Sequence, residues 1–224
     1  MDGILVLDKP AGVTSFSLVR DIRRITQTKV GHAGTLDPLA TGILPLCLGR
    51  ATRRVSHIMS GRKVYIAEAT IGITTDTEDR SGKVLSQQAV TIDRAQVAAA
   101  LNSFLGESQQ IPPMYSALKH KGKRLYQLAR QGKLVERAPR PISIDHIELL
   151  AFENGEYPRL KFRVGCSKGT YIRTLCKDLG ERLGCGAHMS ELRRTQCGPF
   201  KLEHAIAPEQ LAAASTIKEN LLLY

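Results

Sequence analysis

The sequence predicts a mixed α+β domain with one exposed insertion, and three observations lead there. Apolar residues along the 224-residue chain alternate between a strand-like and a helix-like period. A segment crowded with lysine and arginine, 112–140, opens on Pro112-Pro113 and interrupts that alternation. A glycine-rich loop, 31–42, stands directly before a continuous apolar run. The length suits one large domain, or one domain with an insertion, and is enough to bury about 70% of the unfolded surface without a metal or disulfide staple. A hydrophobic share of 42% beside 24% charged residues excludes a disordered, collagenous or coiled-coil chain.

Taken in order, Gly3–Leu7 reads as a short buried strand. Val13-Thr14-Ser15 offers a helix N-cap, after which Leu18, Val19, Ile22 and Ile25 recur at helical spacing with Arg20, Arg23 and Arg24 on the other side. Ile43–Leu48 is an interior strand, Val64–Ile73 a long strand, Asp76–Gly82 a polar turn and Ala95–Leu105 a helix. In the basic segment, Leu125, Leu128 and Ala129 suggest a short helix. Strands follow near 142–152 and 159–165. Thr170–Leu183 forms an amphipathic helix with Ile172, Leu175, Cys176, Leu179 and Leu183 on one stripe. There is no internal repeat and no low-complexity tract.

The five cysteines form no CxxC pair and, being odd in number, cannot all pair within the chain, which suits reduced thiols in a cytosol. The apolar run Ile4–Leu7 is too short for a signal peptide, and no stretch approaches the roughly 20 apolar residues of a membrane span. An intracellular, cytoplasmic protein is expected. The net charge of +11 is unevenly placed, with +6 in residues 1–63 and +7 in residues 112–140. Such concentration implies a polyanion, in practice nucleic acid, or else a merely solvated basic face; no basic helix with a Trp/Phe-rich side suits a membrane surface.

The loop Gly31–Gly42 holds three glycines, Pro38 and a lone carboxylate, Asp37, between Leu36 and Leu39. A carboxylate among apolar neighbours either is kept for chemistry or forms an Asx-turn ahead of the strand; on the loop alone the Asx-turn is the commoner case. Other chemistries fail on spacing. The loop lacks the lysine of a P-loop, there is no G-x-S-x-G elbow and no H-E-x-x-H, and Cys185 with His188 supplies two ligands rather than a zinc site. No metal and no cofactor is implied.

Together with these, GHAGTLDPLATG followed by ILPLCLG at 31–49 resembles the catalytic loop of the TruB family of tRNA pseudouridine synthases. The resemblance spans nearly the whole chain: Gly3–Pro10, Lys63-Val64-Tyr65, Thr75-Asp76-Thr77, Ile111–Lys119, Gly122-Lys123, Leu125-Tyr126, Ala129-Arg130 with Gly132, Cys166–Arg173 and Leu192–Arg194. It implies a mixed, mainly antiparallel central sheet flanked by helices, with 112–140 as a basic thumb beside the cleft. The guide-RNA-dependent relatives share the aspartate loop, but the insertion after Pro112 favours the stand-alone bacterial type. Residues 1–224 then form one catalytic domain, and 208–224 is too short for the C-terminal PUA module of longer members, which is expected to be absent.

The resemblance implies conversion of uridine 55 in the T-loop of tRNA to pseudouridine, with Asp37 as nucleophile or electrostatic stabiliser. Arg173 would pair with it and keep it ionised. Tyr65 would stack on the extruded uracil and offer its hydroxyl for proton transfer. Tyr171 and Leu192 would line the pocket and Lys9 with Pro10 would support its floor. His32 would fill the space vacated by the flipped base. Lys119, Lys121, Lys123, Arg124 and Arg130 would grip phosphates of the T-arm. Without the resemblance, Tyr65 reads as a half-buried strand residue, Arg173 as an exposed helix arginine and His32 as a surface residue. A non-catalytic RNA-binding protein is the rival of another class, and a synthase for a different RNA uridine shares every catalytic residue. Nothing suggests an apolar interface, so a monomer is expected.

Overall fold

A computed structural model describes residues 1–222. In chain order its elements are β1 (Gly3–Lys9), α1 (Ser15–Thr26), β2 (Val30–His32), β3 (Thr41–Leu48), α2 (Val55–Ser60), β4 (Lys63–Ile71), β5 (Ile73–Thr75), β6 (Val84–Gln87), α3 (Arg94–Asn102) and β7 (Gly106–Gln110). There follow β8 (Lys119–His120), β9 (Lys123–Arg124), α4 (Leu125–Ala129), β10 (Arg140–Glu153), β11 (Arg159–Cys166), α5 (Ile172–Arg182), β12 (Ala187–Cys197), β13 (Phe200–Lys201) and α6 (Ala214–Glu219). The class is α+β with a mixed, mainly antiparallel sheet, as expected. No helix among the described residues is long and apolar enough to cross a membrane.

The chain divides into two compact units, Met1–Ile66 with the chain from Leu192 onward, and Ala67–Glu191. In the first, β1 pairs antiparallel with β3 from Gly3↔Leu48 to Lys9↔Gly42, and β2 pairs antiparallel with β3. β12 joins β3 in parallel at Arg193↔Thr41 and Arg194↔Gly42, and β13 folds back on β12. The continuous apolar run of β3 is explained by burial on both faces. One face packs Leu44, Leu46 and Leu48 with Leu5, Leu7 and the Leu18, Val19 and Ile22 stripe of α1. The other packs Ile43 and Cys47 with Ile4, Val6, Ile58, Cys197 and Phe200. α1 starts where the sequence placed it, because the Thr14 hydroxyl accepts from the Ser17 N–H.

In the second unit β10 runs antiparallel to both β11 and β7. The long strand expected over 64–73 is interrupted: Gly72 has φ +88°, and its N–H bonds to the Gly186 carbonyl, so β4 ends at Ile71 and β5 begins at Ile73. The helix expected over 170–183 is trimmed to Ile172–Arg182, with Tyr171 as its N-cap. The insertion is less exposed than its charge suggests. Met114, Leu125 and Leu128 form a small core of their own, joined by Tyr115, Leu118, Ala129 and Val135. Its basic hairpin, β8–β9, turns through Lys121 and Gly122, both at positive φ, the type I′ arrangement that matches strand twist.

Candidate active site

In the first unit the Asp37 loop is held from three directions. Lys9, fully buried at the end of β1, donates to the carbonyls of Pro10 (2.9 Å), Pro38 (3.1 Å) and Ala40 (2.6 Å). The Ser15 hydroxyl, in the first turn of α1, donates to the Leu36 carbonyl (3.0 Å) and accepts from the Leu36 N–H (2.9 Å). The Gly12 N–H donates to the Pro38 carbonyl at 2.8 Å. Asp37 is thus bracketed by hydrogen-bonded neighbours while its own side chain is only half-buried. Burial lowers the proton affinity of Lys9, the Asp37 carboxylate opposes that, and Arg194 adds to it, leaving a pKa of about 8.

Arg194 itself is 1% exposed, a burial that nothing in the neighbouring sequence signals. Its Nε donates to the Ile43 carbonyl (2.8 Å) and a terminal nitrogen donates to the Gly34 carbonyl (3.0 Å), tying the loop's start to the strand that follows it. Gly42, at φ +99°, lies against the Arg194 backbone so closely that a Cβ would overlap it. Arg193 instead bonds the Asp8 carboxylate at 2.6 Å. Tyr65 on β4 and Leu192 on β12 are both buried to 8% exposure. Pro10 is half-buried. His32 lies at the end of β2 rather than within a loop, also half-buried.

In the second unit Arg173 is 4% exposed, not the surface arginine its helix position suggests by itself. Its guanidinium donates to the carbonyls of Thr77 (3.0 Å) and Tyr115 (2.8 Å) and faces the Asp79 carboxylate at 3.7 Å. Asp79, buried in the turn after β5, also accepts from the Thr77 hydroxyl, the Ser81 hydroxyl and the Ser81 N–H. This turn read as merely polar in the sequence; the signal available was the alternation of hydroxyl and carboxylate at 75–81. Gln110 holds Tyr171, accepting from its N–H (2.8 Å) and donating to its carbonyl (3.1 Å). Glu78, at φ +64°, accepts from the Thr174 hydroxyl, and burial raises its pKa. Lys119, Lys121, Lys123, Arg124 and Arg130 are all exposed, and Arg130 lies over the Tyr126 ring. Among the described residues no three His, Cys, Asp or Glu side chains gather as metal ligands would.

Comparison with known proteins decides the family. Residues 23–172 match the model for the TruB family pseudouridylate synthase N-terminal domain, and residues 173–222 that for the tRNA pseudouridylate synthase B C-terminal domain. The chain belongs to the TruB family. A TruB relative from Clostridium novyi, tRNA pseudouridine synthase B, is 53% identical over 212 residues, covering 94% of this chain and 72% of its own. The protein of that name from Pseudomonas fluorescens is 52% identical over 214 residues, covering 95% of this chain and 69% of its own. A solved Cbf5-Nop10-Gar1 complex has a chain that superposes with TM-score 0.76 at 32% identity; this chain spans 59% of that one. The expected fold and family both stand.

Proposed function

We propose that this TruB protein isomerises uridine 55 in the T-loop of tRNA to pseudouridine, with Asp37 as the nucleophile on a flipped-out nucleoside. The observation that carries the reading is identity at about half of all positions, over nearly the full chain, to proteins named tRNA pseudouridine synthase B. The chemistry suits it. The reaction breaks the N1–C1′ bond, turns the uracil and forms a C5–C1′ bond, so the base loses its C5 proton and gains one at N1 with no net oxidation. One ionised carboxylate, a charge partner and a proton carrier suffice, whether the route runs through C1′, through C6 or through a glycal. A half-buried aspartate on a loop held by Lys9, Ser15 and Arg194 is the kind of preorganised group such a reaction needs.

In this reading Arg173 favours the ionised carboxylate, Tyr65 stacks on the uracil and carries a proton, and Tyr171 and Leu192 line the pocket. Lys9 and Pro10 hold its floor. His32 enters the stack that the base leaves. The segment 112–140 serves as the thumb of one catalytic domain, with Lys119, Lys121, Lys123, Arg124 and Arg130 on phosphates. The enzyme acts as a cytoplasmic monomer without metal or cofactor. The test is Asp37→Asn, followed by tritium release from a T-arm hairpin carrying 5-tritiated uridine. Loss of at least about a thousandfold in single-turnover rate, with hairpin affinity retained, is expected; conversion at the wild-type rate removes Asp37 from the chemistry. Wild-type protein that binds the hairpin and converts nothing favours the RNA-binding rival instead.

A further inference from the structure

The outer face of α1 carries a feature that neither the packing of its unit nor the chemistry at Asp37 employs. The helix buries Ser15, Leu18, Val19 and Ile22. Away from that face Phe16, Arg20 and Arg23 follow at i, i+4 and i+7, which places them along one stripe. Phe16 is 71% exposed, whereas Phe104, Phe162 and Phe200 are buried. A lone exposed phenylalanine is ordinary. This one is singled out by its location, because its neighbour Ser15 is the residue hydrogen-bonded in both directions to Leu36, one position before Asp37. Its ring therefore stands on the turn stitched to the Asp37 loop.

The charges beside it are unneutralised by the fold. Arg23 and Arg24 make no ion pair among the described residues, and Arg20 meets only Asp21, at 3.8 Å between two exposed side chains. Their position in the last turn suits the helix dipole, which accounts for Arg23 and Arg24 but not for Arg20 or Phe16. An aromatic face followed by cations along a rigid element is the arrangement that holds an unpaired nucleotide, with the ring on the base and the guanidiniums on its phosphates. A lipid surface fits less well, since the stripe holds a single apolar residue to bury.

We propose that Phe16, Arg20 and Arg23 form a stacking ridge for an unpaired nucleotide of the RNA substrate beside the Asp37 loop. The proposal rests on the synthase reading for the identity of the RNA. The chain contains no tryptophan, so Phe16→Trp installs a unique reporter at the ridge. Titration with an unmodified tRNA transcript should change its emission saturably, with the same midpoint as binding. Phe16→Ala and Phe16→Leu should each weaken binding at least about fivefold, while Phe16→Tyr restores it, all with unchanged thermal unfolding. Arg20→Gln with Arg23→Gln should lower the slope of log affinity against log salt by about 1.4–1.8. Wild-type affinity in Phe16→Ala and Phe16→Leu, with tryptophan emission unmoved at saturating RNA, overturns the ridge even if pseudouridine forms normally. Absent pseudouridine formation by wild type, with the tryptophan still responding, overturns the synthase reading and supports the ridge.

Discussion

Lys9 shows how a single buried side chain can hold the Asp37 loop and carry a measurable signature. Its ammonium reaches three carbonyls, two of them within the Asp37 loop, and so exchanges hydration for fixed acceptors. Burial brings its pKa from the usual 10.5 to about 8. Below pH 8 both folded and unfolded chains carry the proton, and stability is flat with respect to this group. Between pH 8 and 10.5 only the unfolded chain keeps it, so the folded state gains stability as pH rises and loses it as pH falls back through 8. Urea unfolding of wild type and Lys9→Met across pH 7–10.5 should show their stability difference shifting toward wild type by up to about 3 kcal/mol. A constant difference would mean that the ammonium is not desolvated. The burial of Arg194 is likewise not written in its neighbours. Its neighbour Arg193 has the same side chain, yet alternation along β12 sends one arginine to the interior and the other to Asp8.

At the scale of elements, the start of α5 is set by a side chain 61 residues away. Tyr171 stands at the N-cap without a side-chain capping bond to the helix, and Gln110 at the end of β7 bonds both its N–H and its carbonyl. Gln110 is almost wholly buried, so its removal leaves two backbone groups without those partners. Gln110→Ala should cost about 2 kcal/mol in chemical denaturation. Because Arg173 stands two residues beyond Tyr171, the same substitution should lower the rate of pseudouridine formation more than it weakens RNA binding. An equal fall in both would assign Gln110 to binding. The hairpin β8–β9 with α4 makes the complementary point. Its charges are displayed on a scaffold with a separate apolar core, so the basic insertion is an ordered element rather than a loose basic tail.

For the molecule as a whole, the charge of +11 resolves into two segments, 1–63 and 112–140, whose excess exceeds that of the entire chain. Each phosphate neutralised by lysine or arginine releases counterions and steepens the salt dependence of binding. Replacing Lys119, Lys121 and Lys123 together by glutamine should flatten the slope of log affinity against log salt by about 2–3 for a tRNA transcript. An unchanged slope would place the phosphate contacts elsewhere. Specificity should survive the change better than affinity, since contacts of this kind position RNA without reading its sequence.

The sequence by itself determined the class of fold, most element positions and the family, because periodicity, capping and turn residues are local codes and because the Asp37 loop is written in consecutive letters. Thr14 as a cap, the buried run of β3 and the short helix of the basic insertion were all legible for that reason. Strands β7 and β12 were not, since β7 is largely exposed and polar and β12 mixes apolar with charged residues. The inward turn of Arg194, the burial of Arg173 and the Asp79 turn were equally hidden. Charged side chains are buried only where distant carbonyls and carboxylates converge to replace water, and no window of sequence records which distant groups will meet. Tertiary structure alone decided those partners, and with them how the Asp37 loop is held.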